Sequence, residues 1–259
     1  MERKSLRMTV AVLLIGLAIG LTGTSCKKKE EVGKVPPGNP AMIPDKVEAY
    51  RKSLEETKSI TVAKVNGVSI PMSDLIREMN IIAPSYIKPG EQRNPDLDKK
   101  IRDGALDGLI RDELVHQEAV RQGMKVPPEM VEDELKKIKA GLKSEQGYRE
   151  HLKRLGITEE EMKDKIEREL LDGMISRKEI FAKVKIDPQT VKRTYEREKA
   201  SYKGPTGQMS FEEARPFIEQ KLMAEAAQKR EDAWIKELTK AAKIEITLGE
   251  SAKAIQGVY

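Results

Sequence analysis

The chain of 259 residues holds two histidines, His116 and His151, and one cysteine, Cys26. Acid–base and nucleophilic catalysis draw on such groups when partners hold them within hydrogen-bond reach. His116 lies two residues after Leu114, off the apolar stripe of its segment. His151 sits among Arg149, Glu150 and Lys153. Both read as solvated surface residues rather than as ligands or bases. No carboxylate–histidine spacing on one helix suits a metal ion. There is no Walker-type glycine loop and no G-x-S-x-G elbow, so nucleotide and serine-hydrolase chemistry have no visible seat. The carboxylates alternate with Lys and Arg at helical spacing, as on a solvated helix face. The sequence therefore predicts no catalytic residue, no metal site and no cofactor.

Cys26 suggests chemistry of another kind. Arg3, Lys4 and Arg7 precede an apolar run from Met8 to Gly23, and "LTGTSC" closes it. The run is about 16 residues, short of the roughly 20 that a spanning helix needs. An apolar run ending in small residues and one Cys resembles a bacterial lipoprotein signal. The resemblance implies lipidation of the Cys26 thiol and cleavage after residue 25. Gly23 stands where such signals usually have Leu. A simple secretory signal and an uncleaved anchor are the alternatives. All three place the rest of the chain outside the cytoplasm, in the cell envelope facing the periplasm or outside the cytoplasmic membrane. Loss of residues 1–25 lowers the formal charge from +5 to +3. With the signs interleaved and no basic stripe carrying aromatics, a nucleic-acid partner is not expected.

The methionines form the third class. Met72, Met79, Met124, Met130, Met162 and Met174 all fall in the segment predicted to fold, and so does Met223. Methionine is flexible and polarisable and recurs on promiscuous binding surfaces. One reading is ordinary core filling. The other is a groove that accepts many unfolded chains.

These residues need elements to position them. Charged residues make up 35% of the chain and aromatics only 4%. That balance fits either disorder or helices with a thin core, and the apolar periodicity favours helices. Residues 26–44, rich in Lys, Pro and Gly, read as a flexible tether. Asp45 would cap a short helix through Leu54. Val65 and Val68 flank Asn66-Gly67, a strong hairpin signal, because a type I′ turn needs two positive φ angles. A helix follows through Met79, and 83–96 reads as a loop. Further helices are expected over 97–122, 128–142, 145–155 and 159–183, the last with Thr158 and Glu161 as a capping box and Met162, Ile166, Leu170, Met174 and Phe181 as its stripe. Asp187-Pro188 opens a helix to Tyr202. After seven residues, Ser210 and Glu213 open the last helix, with a kink expected at Pro216. Ile244, Ile246 and Leu248 alternate as a strand. A lone strand is unstable, so it is expected to pair with the hairpin at about 60–70. The fold class is thus mostly α, with a small antiparallel sheet. The folded module is expected over 45–249 and a tail over 250–259.

Five stretches now carry a resemblance: "VAKVNGVSIPMSDL", "ALDGLIRDELVHQEAVRQGMKVPPEMVEDEL", "LGITEEEMKDKIERELL", "KIDPQTVKRTYEREKASY" and "SFEEARPFIEQKLMAEAAQKREDAWIKELTKAAKIEI". In order and spacing they resemble the chaperone module of the SurA and PrsA families, extracytoplasmic folding factors of bacterial envelopes. Those families usually carry a parvulin peptidyl-prolyl isomerase domain between the fourth stretch and the fifth. Here that interval is seven residues, 203–209, too short for such a domain. Parvulin sites use paired histidines, and His116 and His151 both lie within module helices, so no catalytic residue carries over. The resemblance implies an ATP-independent holdase that binds unfolded polypeptide clients, held at a membrane through its N-terminal lipid. The alternatives are a dedicated assembly factor for one envelope or export complex, and an isomerase by family likeness.

Overall fold

The computed structural model describes residues 44–88, 90–142, 144–204 and 207–248. The expected signal, the lipidation at Cys26, most of the tether and the tail after residue 249 lie outside them. Helix α1 is Pro44–Thr57, and the chain divides into two units, residues 1–47 and 48–259. All later elements belong to the unit that begins at Glu48.

Strands β1, Thr61–Val65, and β2, Val68–Pro71, form the expected hairpin. Asn66 (φ 51°) and Gly67 (φ 87°) supply its two left-handed positions. Asn and Gly tolerate that region where a branched residue would be strained. Strand β5, Ile244–Ile246, pairs antiparallel with β1, Ala63 opposite Ile246 and Val65 opposite Ile244, so the sheet order is β2-β1-β5. The start and the end of the folded unit therefore close on one sheet, as the pairing argument requires.

Between them run α2 (Met72–Tyr86), α3 (Pro95–Arg121), α4 (Pro128–Gly141), α5 (Glu145–Leu155), α6 (Glu159–Glu179), α7 (Pro188–Glu198) and α8 (Phe211–Ala241). Polar caps set the boundaries. Thr158 and Ser210 each form a capping box with the glutamate three residues on, and Asp187 accepts from the amides of Gln189 and Thr190. Gly156 ends α5 at φ 64°, a left-handed conformation that favours glycine, and a Cβ there would lie 2.9 Å from Leu54 Cδ1, which would have to shift.

Three expectations need correction. The loop expected over 83–96 is shorter than that. α2 continues to Tyr86 through Pro84, because Ile82 and Ala83 are buried and Tyr86 packs on the first core. α3 starts earlier than 97, at a boundary with a clear local signal: Asn94 Oδ1 accepts from Leu97 N at 2.9 Å, with Pro95 at the first helical position. Helices α6 and α7 stop before 183 and 202, each followed by a 3-10 turn, Phe181–Lys183 and Lys199–Ser201. α8 is one helix through Pro216.

The core falls into three clusters. The first sets the sheet against α2 and the first half of α3, through Val62, Val65, Met72, Leu75, Ile76 and Ile101. The second joins α4, α5, α6 and the middle of α8 around Tyr148, Ile166, Ile175 and Trp234. The third is small: Val191, Ala214 and Ile218, flanked by Tyr195, Tyr202 and Phe211, where α7 packs on α8. Helices α3 and α8 contribute to both larger clusters, and Leu238 touches both.

Candidate binding surface

The methionines do not share one surface. Met72, Met79 and Met162 are buried at 0%, 2% and 6% exposure. Met124 and Met174 are half-buried at the edge of the second cluster. Met130, on α4, is 40% exposed, and Met223 on α8 is half-buried. The α6 stripe also differs from its expected line. Its buried residues are Met162, Ile166, Leu171, Ile175 and Glu179, while Leu170 and Met174 are half-buried and Phe181 is 41% exposed. The contact drifts around the helix after Ile166, because α6 packs on α3 and α4 rather than on one straight partner.

An open cleft of about 560 Å³ lies between α3 and the C-terminal half of α8. Its lining is Arg111, Asp232, Ile235, Lys236, Thr239 and Lys240. The α8 residues follow from helical spacing. Trp234 and Leu238 turn inward and Ile235 packs half-buried against the same cluster, while 236, 239 and 240 lie exposed beside it. Most polar groups here are already engaged. Arg111 Nη2 donates to Glu231 Oε1 at 2.7 Å, Gln228 Nε2 to Asp232 Oδ1 at 3.0 Å, and Thr239 Oγ1 to the Ile235 carbonyl at 2.8 Å. Burial pushes the Glu231 carboxyl up against the pull of Arg111. Lys236 and Lys240 have no ion pair among the described residues. Chemically this is an apolar strip with cations on its rim. It suits loose apolar contact and offers no nucleophile beside a base. The sequence carries its signal in the Ile235–Thr239 and Lys236–Lys240 spacing, which by itself reads only as the solvated side of a helix.

The histidines are less solvated than their neighbours in sequence suggest. His116 is half-buried because α6 runs along α3, and its Nδ1 lies 3.6 Å from Asp172 Oδ1. Beside it, Glu113 is buried at 6% exposure, and Arg168 Nη2 and Gln117 Nε2 donate to it at 2.5 and 2.7 Å. Gln117 Nε2 also donates to the Val65 carbonyl, and Gln117 Oε1 accepts from Asn66 Nδ2. A polar chain thus runs from the hairpin turn through α3 to α6. Glu113 could have been found, since it continues the Leu106–Ile110 line at helical spacing. His151 is also half-buried, and Arg154 Nη2 lies 3.1 Å from its Nδ1. Burial and then Arg154 lower its pKa. Among the described residues, no cluster of three or more His, Cys, Asp or Glu has metal-site geometry.

The described residues of the seven-residue interval, 203–204 and 207–209, do more than turn the chain. Lys203 pairs with Gln208 and Gly204 with Gly207, a two-residue ladder of strands β3 and β4. Met209 N donates to the Tyr202 carbonyl at 2.9 Å, and Tyr195 Oη donates to the Met209 carbonyl at 2.7 Å. The Tyr195 ring stacks with Tyr202 at 6.3 Å and meets Phe211 edge-on at 5.6 Å. Glu198 accepts from Lys221, Arg197 and Tyr202, and these bonds, Lys221 first, hold its carboxyl down at about 2. α7 passes into α8 through a tight, pinned joint.

Comparison with known proteins agrees with this architecture. The SurA-like N-terminal domain profile matches residues 46–176, which spans the hairpin and α2 through most of α6. The foldase protein PrsA of Clostridium tetani (strain Massachusetts / E88) is 28% identical over 166 residues, 58% of this chain. The chain spans about half, 48%, of that relative's length. On the profile match over half its length, and on the hairpin-and-helix architecture beneath it, this chain belongs to the SurA-like N-terminal domain family.

Proposed function

We propose that this protein is an ATP-independent chaperone of the cell envelope, a holdase that binds exposed apolar segments of unfolded secreted or outer-membrane proteins and releases them by dissociation. Family membership supports a folding role. The observation that carries the holdase reading is the joint between α7 and α8. Where isomerase relatives are expected to carry a catalytic domain, a two-residue ladder reconnects the chain. The open cleft between α3 and α8 supports binding without a fixed lock, since its polar groups are largely satisfied internally and its rim lysines have no ion pair among the described residues. Met130, Phe217 and Ile246, at 40%, 55% and 60% exposure, add apolar surface elsewhere on the unit. Anchoring through lipidated Cys26 belongs to the same proposal. About 18 residues of flexible tether would give a root-mean-square reach of about 20–25 Å from the membrane.

The test is aggregation suppression, without nucleotide, on three unrelated chemically unfolded proteins. The reading expects suppression of all three at near-stoichiometric ratios, weakened by Ile235→Asp in the cleft. Binding to one native partner, with no effect on unfolded clients, would replace it with a dedicated assembly factor.

A further inference from the structure

Carboxylates gather where α3 passes α6 and α8. Asp112 and Glu113 come from α3, Glu169 and Asp172 from α6, and Glu231 from α8. The cations among them are Arg168, on Glu113, and Arg111, on Glu231, with Lys165 acting on Glu169. From α4, Glu134 faces Glu169 and is itself paired with Lys137. Glu167 faces His116 from α6. Within this group, Asp172 Oδ1 and His116 Nδ1 point at one another across 3.6 Å. Both atoms are buried, and neither has a hydrogen-bond partner among the described residues. Two buried polar atoms in this position are costly unless a proton joins them.

We propose that His116 and Asp172 share one proton, and that this proton latches α3 to α6, so that the joint tightens on acidification and loosens when the proton leaves. The proton comes from water. In the latched state the Asp172 hydroxyl donates to His116 Nδ1 and the pair is neutral. When the proton returns to solvent, Asp172 carries a negative charge in a poorly solvated place beside Asp112, Glu113 and Glu169. The imidazole can then bond to it only by placing its own proton on Nδ1.

The electrostatics agree with this geometry. Burial pushes the Asp172 carboxyl up to about 7, and Asp112, Glu113 and Glu169 push the same way against Arg168. Burial, then Arg168, push His116 down, against Glu113 and Glu167. Each group therefore favours its neutral form. The Asp172 value lies above its ordinary 3.8, so its stabilising contribution is complete below that pH and is lost as pH rises through about 7. Glu169 and Glu231, both raised by burial, act in the same direction. His116 opposes them, because it forgoes a proton that an unfolded imidazole takes near 6.5. Glu113 links the latch to the rest of the unit, since it holds both Arg168 and Gln117, and Gln117 reaches the hairpin.

Hydrogen exchange of the α6 amides, corrected for the intrinsic pH dependence of exchange, reads the latch directly. Protection in the full chain is expected to fall about tenfold between pH 5.5 and pH 8.5, and at most threefold in Asp172→Asn, which cannot lose the proton. An equal fall in the variant, or none in the parent protein, would overturn the proposal. If the variant fails to fold, the carboxyl carbon shift of Asp172 in the parent protein decides. A midpoint near 7 is expected, and a midpoint near 4 would overturn it.

Discussion

Asn66 offers a sharp test of how the two ends of the unit are joined. Its backbone sits at φ 51° in the hairpin turn. Its Oδ1 accepts from Lys243 N at 2.8 Å, across 177 residues of sequence, and its own amide donates to the Lys243 carbonyl at 2.8 Å. Its Nδ2 donates to Gln117 Oε1 at 2.8 Å. One residue thus fixes the turn, the entry to β5 and the side chain on α3. Asn66→Ala loses both side-chain bonds, each worth about 0.5–1.5 kcal/mol and here near the low end because the site is exposed. It also places a Cβ residue without a polar side chain in the left-handed region, at about 1 kcal/mol. The sum is about 2–2.5 kcal/mol. Asn66→Gly keeps the turn and loses only the bonds, about 1–1.5 kcal/mol. Asn66→Asp keeps the acceptor for Lys243 and loses the donor to Gln117, about 0.5–1 kcal/mol. Urea unfolding by linear extrapolation orders the three variants, and amide exchange at Lys243 should rise in the Ala and Gly variants before that of the α6 amides. An Asn66→Ala variant within 0.5 kcal/mol of the parent protein would refute the reasoning. So would a Gly variant as unstable as the Ala variant, because the conformational part would then be absent.

Two further outcomes rest on burial and charge. Met72→Ala, at a fully buried position, should cost about 2–5 kcal/mol in thermal or urea unfolding, whereas Met130→Ala, at 40% exposure, should stay within about 0.5 kcal/mol. Glu198 is held at about 2, below its ordinary 4.5, so its contribution to the α7–α8 joint is present above pH 4.5 and lost as pH falls through about 2. Glu198→Gln should therefore weaken the near-ultraviolet tyrosine signal of Tyr195 and Tyr202 at pH 7 and converge on the parent protein as pH falls through about 2.

Much of the fold was legible because the local signals were strong and agreed. Asn66-Gly67 specified the hairpin, the Thr158 and Ser210 boxes started their helices, and the need to pair Ile244–Ile246 implied the closing of the ends. What was missed was tertiary. α2 runs past Pro84 because the burial of Ile82 and Ala83 outweighs a local breaker. Strands β3 and β4 have two residues each, too few to show a period. Binding and burial depend on which faces meet. The methionine pattern could not say that Met72 and Met162 fill cores while Met130 faces outward. Nor could it place Glu113, His116 and Asp172 together, since the α3–α6 contact joins residues more than 50 positions apart.

We propose that this protein holds unfolded chains without isomerising their prolines. The most direct measurement is the rate of cis-to-trans isomerisation of a proline-containing tetrapeptide, with the protein in excess over the concentrations that suppress aggregation. The uncatalysed rate, unchanged by added protein, is expected. A rate that rises in proportion to protein concentration and is abolished by heat denaturation would contradict it.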